Sequence, residues 1–373
     1  MVEQMRAARY HGEGKPFSVD VIDKPAPRSG DVLIEVKACG LVPNLVNVIE
    51  PVVPTLKRPE RPSIYGLDAA GVIVAKGDRV RGVEIGDRVY VNPARYCNNC
   101  LACRTGHPMA CDYMALAGYF GSGSKSEEIL ADYPYGGFGE YMTAPPYSLV
   151  HLPDSLSFEY AARWGYLGTG YAALRRGNVD MTSSLLINGA SGTLGLGVAI
   201  LALALGVPKI LAVGRNLERL EEVRALAPDR IHIHSTTESA TSIADWAHSL
   251  TGGRGAEVVI DALPTLAPVD DFVASAGALA RGGRLVDIGG VIGEIPISMF
   301  DVMNNDQTYT GSMWFTPEQG QEMADLAGCG LLNLGVFENH VFGLEDINDA
   351  LDQIVNQRHG GFTNFVVQPS LTR

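Results

Sequence analysis

The sequence predicts an α/β protein made of a β-rich N-terminal part and a doubly wound parallel sheet. Three observations predict it. Residues 1 to about 90 carry short branched runs separated by Gly and Pro, with no long helical pattern. From Ser183 to Gly311, apolar runs of strand length alternate with stretches of helical length. Between them, a tight cluster of cysteines marks a separate small lobe.

The 373 residues leave room for two domains and a sizeable core. A hydrophobic content of 46% with 19% charged residues is that of a globular chain. The net charge of −13 argues against nucleic acid or an anionic membrane as partner. The N-terminal stretch has no apolar signal core, and the longest apolar run, Val198 to Val213, is interrupted by Gly206 and Pro208. A cytoplasmic protein with no membrane span is therefore expected.

In the N-terminal part, Val32–Val36, Ala70–Val74 and Asp87–Val91 read as strands of a compact barrel-like domain. The cysteine lobe follows with spacing C-x2-C-x2-C-x7-C: Cys97, Cys100, Cys103 and Cys111. Four thiolates on one short loop suit a closed, structural zinc; an iron–sulfur cluster is the alternative with the same ligands. His107 reads as a loop surface residue, and Cys39 and Cys329 stand alone. Residues 118–134 are polar and Gly/Ser-rich, and are expected to form a long mobile loop. Gly136–Tyr141 reads as a return to strand. A helix is expected from near Glu159 through Thr169 to Arg176, bridging the two parts.

The second part opens on Leu185–Ile187, a glycine cluster, an Ala-rich helical run and the strand Ile210–Val213. Gly189, Gly192 and Gly195 are spaced G-x-x-G-x-x-G, with Ser191, Thr193 and Leu194 between and after them. Glycines at such a strand-to-helix turn let a pyrophosphate approach the backbone at the helix N-terminus. The second strand ends in Gly214, followed by Arg215, Asn216 and Arg219. An acid there would hold a ribose 2′-OH, whereas glycine leaves room for a 2′-phosphate and arginine pairs with it. NADP(H) is therefore favoured, with NAD(H) as the alternative. Helices at 217–226, 242–250 and 268–279 separate strands at 230–234, 257–261, 284–288 and 308–311. Two further helices, at 317–327 and 344–356, lead to a last strand, 364–367, expected to pack back on the first part.

Together these features resemble the medium-chain dehydrogenase/reductase superfamily, in its zinc alcohol dehydrogenase branch. The resemblance spans essentially the whole chain. It implies a GroES-like catalytic domain (1–158), a Rossmann domain (159–311) and a C-terminal return (312–373). It also implies hydride transfer between a nicotinamide and a carbonyl or alcohol carbon, with Thr169, Ala262, Leu263, Gly289 and Val291 bordering the cofactor.

Zinc-dependent members of that family hold a second, catalytic zinc with ligands from three places. In this chain those places fall on Val42, Leu67 and Gly165. None of the three binds metal, so the catalytic zinc is expected to be absent and the structural one kept. By family position, Asn44 and Asp68 become candidates to assist the substrate oxygen. Asn47, Tyr65, Phe138, Trp164 and Tyr166 become candidate pocket residues, suggesting a bulky or aromatic small molecule. Reduction of an activated C=C or C=N bond is the alternative chemistry, and an inactive nucleotide sensor a third reading. A homodimer or homotetramer is implied, with contact near 295–311.

Overall fold

The computed structural model describes residues 3–50, 52–356 and 360–371. A six-stranded, wholly parallel sheet forms the second half. Its order, by residue, is Ile231–Ser235, Lys209–Gly214, Ser184–Asn188, Ala256–Asp261, Leu279–Asp287, Thr308–Gly311. Chain order reverses beside Ser184–Asn188, and the crevice at such a switch point is where ligands bind. Successive residues of a strand face opposite ways. Leu185 and Ile187 therefore enter the core on one face, and Leu186 enters the core on the other.

A seven-stranded sheet organises the N-terminal half. Its central strand Val32–Gly40 pairs antiparallel with Asp68–Lys76 and with Tyr141–Ala144. The C-terminal strand Thr363–Val367 joins the same sheet, with Val366 opposite Gly40 and Val367 opposite Cys39. Leu344, Ile347, Ala350, Phe365 and Val367 complete the N-terminal core. The expected return of the chain end is thus a strand pairing as well as a packed helix. A partner strand, Glu338–Phe342, runs parallel to the last one and has no counterpart in the sequence reading. No helix among the described residues is long and apolar enough to cross a membrane.

Three local expectations need correction. Residues 118–134 are not one mobile loop: they contain the short strand Phe120–Gly121 and the helix Ser126–Asp132. Ser126, Ile129 and Leu130 are buried at i, i+3 and i+4, and Glu127 and Glu128 favour the helix start. The strand after Gly136 begins only at Tyr141, because Gly136 and Gly137 lie hard against other chain segments. A Cβ on Gly136 would come within 2.5 Å of the Tyr65 carbonyl oxygen. The bridging helix is two helices, Phe158–Ala161 and Trp164–Arg176, broken at Ala162–Arg163. Gly40 allows that break to sit close, since a Cβ there would lie 2.1 Å from the Ala162 carbonyl oxygen.

Candidate functional site

A cavity of about 1060 Å³ runs along the carboxyl ends of the parallel strands and into the cleft beneath the N-terminal sheet. Small-molecule pockets occupy roughly 300–1,000 Å³, so it has room for a dinucleotide together with a substrate.

At its centre is the glycine turn. Gly189 has φ +82°, a conformation that side chains disfavour. The amides of Gly189 and Ala190 both donate to the Val213 carbonyl, locking the turn to the next strand. The helix Thr193–Ala204 starts there with no side-chain cap, so its first amides are free to meet an anion. Gly189, Ser191, Gly192, Thr193 and Leu194 line the cavity. Gly195 does not line it: it sits beneath the turn, where a Cβ would be 2.2 Å from the Gly189 carbonyl oxygen. Its role is close packing of helix on turn.

Gly214, Arg215, Asn216, Arg219 and Thr236 line one end of the cavity, with no carboxylate among them. Asn216 caps the next helix by accepting the Arg219 amide at 3.0 Å. The Arg215 carbonyl is held by the Ser235 and Thr237 hydroxyls at 3.0 and 2.7 Å, while its side chain is exposed. Thr169, Ala262, Leu263 and Gly289 border the cavity as well, but Val291 lies outside it. These residues fit a dinucleotide: a turn that accepts only glycine, free helix amides and a carboxylate-free end.

The other end is the candidate substrate side. Val42, Asn44, Asn47, Leu67, Asp68, Gly165 and Tyr166 meet there, from three separate segments. Tyr65, Phe138 and Trp164 are corrections. Tyr65 and Phe138 are 1% exposed and pack with Tyr10 and Phe17 in the N-terminal core. Trp164 is fully buried, tilted on Tyr90, and donates its indole N–H to the Gly320 carbonyl. Family position gave their sequence neighbourhood but not the direction of the side chains. The aromatic wall is built instead by Tyr119, Phe120 and Trp314, with Leu116 and Met313. Tyr119 and Phe120 lie just past the cysteine lobe, in the segment misread as loop. Trp314 follows the last parallel strand and donates to Asn92 Oδ1 at 3.0 Å.

Asp68 heads the strand Asp68–Lys76 and is 1% exposed. Its Oδ1 accepts from the Tyr90 hydroxyl at 2.7 Å, and its Oδ2 has no partner. Burial pushes this carboxyl up from 3.8 to about 7, against the opposing pull of the Tyr90 hydroxyl, the Gly165 amide and Arg163. Gly165 makes room for it. A Cβ on Gly165 would be 2.3 Å from Asp68 Oδ1 and 2.5 Å from Oδ2. Asn44 lies at the start of the helix Leu45–Ile49, and its Oδ1 accepts from Asn47 Nδ2 at 2.8 Å. Cys39, fully buried, points away from the cavity: a Cβ on Gly137 would be 2.5 Å from its sulfur.

The sign of the Asp68 shift sets a pH dependence. The folded carboxyl keeps a proton that the unfolded chain releases, so its contribution to stability falls as pH rises from about 4 to about 7. Asp68→Asn is expected to flatten part of that slope, read as urea midpoints across this range. An unchanged slope would mean that Asp68 is ionised in the folded protein.

About the cysteine lobe the geometry is direct. The sulfurs of Cys97, Cys100, Cys103 and Cys111 all lie within 4.8 Å of one another. The Cys100–Cys103 and Cys97–Cys111 separations are 3.6 Å, near the roughly 3.8 Å edge of a tetrahedron with 2.3 Å Zn–S bonds. Backbone amides of Asn99 and Cys100 point at Cys97 Sγ, and those of Cys97 and Tyr113 at Cys111 Sγ, which suits thiolates. His107 is exposed, as expected. Among the described residues no other group of three or more His, Cys, Asp or Glu side chains converges closely enough to hold a metal.

Comparison with known proteins agrees with this geometry. Residues 28–154 match the alcohol dehydrogenase GroES-like domain, and residues 193–328 match the zinc-binding dehydrogenase domain. An alcohol dehydrogenase of Geobacillus stearothermophilus is 31% identical over 360 residues, covering 96% of this chain and 98% of that protein. The chain belongs to the zinc-containing alcohol dehydrogenase family. An NAD-dependent alcohol dehydrogenase of Sulfurisphaera tokodaii is 28% identical over 94% of this chain and 97% of its own. In fold, a thermostable alcohol dehydrogenase from Pyrobaculum aerophilum superposes with TM-score 0.79 at 23% identity, over 98% of this chain and 100% of that one. The protein is therefore an NAD(P)-dependent oxidoreductase of alcohol dehydrogenase type, with a GroES-like domain, a Rossmann domain and a four-cysteine structural zinc site.

Proposed function

We propose that this dehydrogenase transfers hydride between NADP(H) and a bulky, uncharged ketone or aldehyde, or the matching alcohol, without a catalytic metal. The observation that carries this reading is the Asp68 carboxylate standing where a side chain at position 165 would have to be. With Val42 and Leu67 completing that wall, the donor set offers one buried carboxylate and no imidazole or thiolate, and does not fit a catalytic zinc. When bound, the nicotinamide supplies or accepts the hydride. The chain's own task is to orient the carbonyl, exclude water and meet the charge that grows on oxygen. That charge falls to hydrogen-bond donors of the wall around Asn44, over a floor where burial favours the uncharged form of Asp68. The aromatic lining of Tyr119, Phe120 and Trp314 favours an apolar, ring-bearing substrate.

Gly214 and Arg215 support NADP(H). Loss of a charge-assisted phosphate contact costs about 1.5–3 kcal/mol, so NADPH should bind at least about tenfold more tightly than NADH. Arg215→Ala should shrink that gap. Both are read by nicotinamide fluorescence titration; tighter NADH binding in the unmodified protein would overturn the preference. The reaction itself is tested with a panel of aromatic aldehydes, ketones, enones and imines and NADPH. Turnover of carbonyls supports the proposal. Turnover confined to enones or imines favours the alternative chemistry, which a wall without a strong electrophile also suits. Tight NADPH binding with no turnover favours a nucleotide sensor.

The reading extends to assembly as a homodimer. The outermost strand Thr308–Gly311 leaves one sheet edge open, and Met299, Phe300 and Met303 beside it are 70%, 68% and 69% exposed. Such an edge is ready to pair with a second copy of the chain. Light scattering should give a dimer or a dimer of dimers, and Phe300→Glu should shift it toward monomer; a monomer in the unmodified protein refutes the contact.

A further inference from the structure

We propose that the hydroxyls of Tyr119 and Tyr166 together bind the substrate oxygen, and that Tyr119 is its proton donor. The proposal rests on the reading above, that a carbonyl is reduced here without a catalytic metal.

On the substrate side of the cavity, the lining side chains that carry an N–H or O–H are Asn44, Asn47, Thr169, Tyr119, Tyr166, the Trp314 indole and, when protonated, Asp68, whose Oδ2 is sealed from solvent. Thr169 donates its hydroxyl to the Gly165 carbonyl at 2.8 Å, and Trp314 donates to Asn92. Asn47 donates to Asn44 Oδ1, which turns the Asn44 amide the other way. That amide lies beside the Tyr119 phenol oxygen, and the Asn44 main chain lies beside the Tyr166 oxygen. Neither phenol oxygen makes a hydrogen bond within the described residues, so both O–H groups stay available to the cavity that the two residues line. Asn44 flanks both phenols, and an amide cannot itself deliver a proton, so that task falls to a phenol.

No cation competes. Arg163 sits 5.9 Å behind the Tyr166 ring, with its guanidinium given to the Gly361 and Thr363 carbonyls. Burial raises both phenols, Tyr166 with help from the adjacent Tyr119 and Asp68, so both stay protonated across the working range. Tyr119 is 5% exposed, and its ring is braced at 5.0 Å against Phe120. In so dry a place an O–H aimed at a developing negative charge is worth far more than in water.

The step balances. The carbonyl carbon gains a hydride, two electrons and one hydrogen, and is reduced, while the dihydronicotinamide that gave it is oxidised. The carbonyl π pair moves onto oxygen, held by both O–H groups. An alkoxide is a stronger base than a phenolate, so the Tyr119 proton passes to it and the alcohol leaves. Water at the cavity mouth then restores the phenol.

The test uses the full-length enzyme, NADPH and p-nitrobenzaldehyde. Removing one such donor costs about 10²–10³-fold. Tyr119→Phe is expected to slow single-turnover reduction by that factor and to abolish a normal solvent deuterium isotope effect. Tyr166→Phe should slow the same step while keeping the isotope effect. NADPH affinity and thermal midpoint should hold in both, since each variant loses one oxygen and no ring. Reduction by both variants within about threefold of the unmodified enzyme overturns this proposal and leaves metal-free carbonyl reduction standing. An unmodified enzyme that binds NADPH but reduces no carbonyl overturns both.

Discussion

Gly195→Ala is expected to lower NADPH affinity by at least about 100-fold and to destabilise the fold. The new Cβ would lie 2.2 Å from the Gly189 carbonyl oxygen and 2.7 Å from Ala190 Cα. Both are backbone atoms, held by paired amide bonds to Val213, so neither can turn aside. The helix would have to lift from the turn, withdrawing the amides that meet the pyrophosphate. Overpacking in a tight interior costs about 1–3 kcal/mol or more. Fluorescence titration and thermal denaturation read the two effects, and unimpaired binding would show that the turn is looser than its geometry.

Gly165→Ala is the second large effect, and it carries its own control. The incoming methyl meets a carboxylate rather than backbone. Asp68 can escape only by giving up the Tyr90 hydrogen bond inside a closed wall. A loss of about 2–4 kcal/mol is expected, combining overpacking with a broken buried hydrogen bond. In an Asp68→Ala background the same substitution should be nearly neutral, because the obstacle is gone. Equal losses in both backgrounds would mean that the two positions are uncoupled.

Much of this fold was legible in the sequence because it repeats one physical pattern. Alternation of apolar strand and helix runs gave all six parallel strands from Ser184 to Gly311, although the fifth begins at Leu279, where the sequence reading ended a helix and started the strand only at Arg284. Cysteine spacing gave the metal lobe, since four thiolates on fifteen residues have few other uses. The departures arose where tertiary contact overrides local pattern. Ser126–Asp132 looks polar as a string, yet its three buried positions lie on one helical face. Arg163 breaks the bridging helix because its side chain answers to carbonyls about two hundred residues away.

The site was legible by position and less so by direction. Val42, Leu67, Asp68 and Gly165 converge as the family pattern implies, and the glycine turn lies along their cavity. Tyr65, Phe138 and Trp164 turned out to be core, because nothing in a sequence says which way a ring near a cleft will point. Tyr119 carried one signal that could have found it: a Tyr–Phe pair inside an otherwise polar stretch, directly after a metal lobe.

Metal-free reduction, as proposed, leaves the structural zinc as the chain's one metal and puts the buried Asp68 carboxyl in the catalytic metal's place. Metal analysis of purified enzyme that reduces a carbonyl with NADPH tests it most directly. One zinc per chain is expected, with X-ray absorption showing four sulfur neighbours, and activity unchanged by added zinc. Two zincs per chain, or a second site with mixed nitrogen and oxygen ligands whose loading tracks activity, would contradict it.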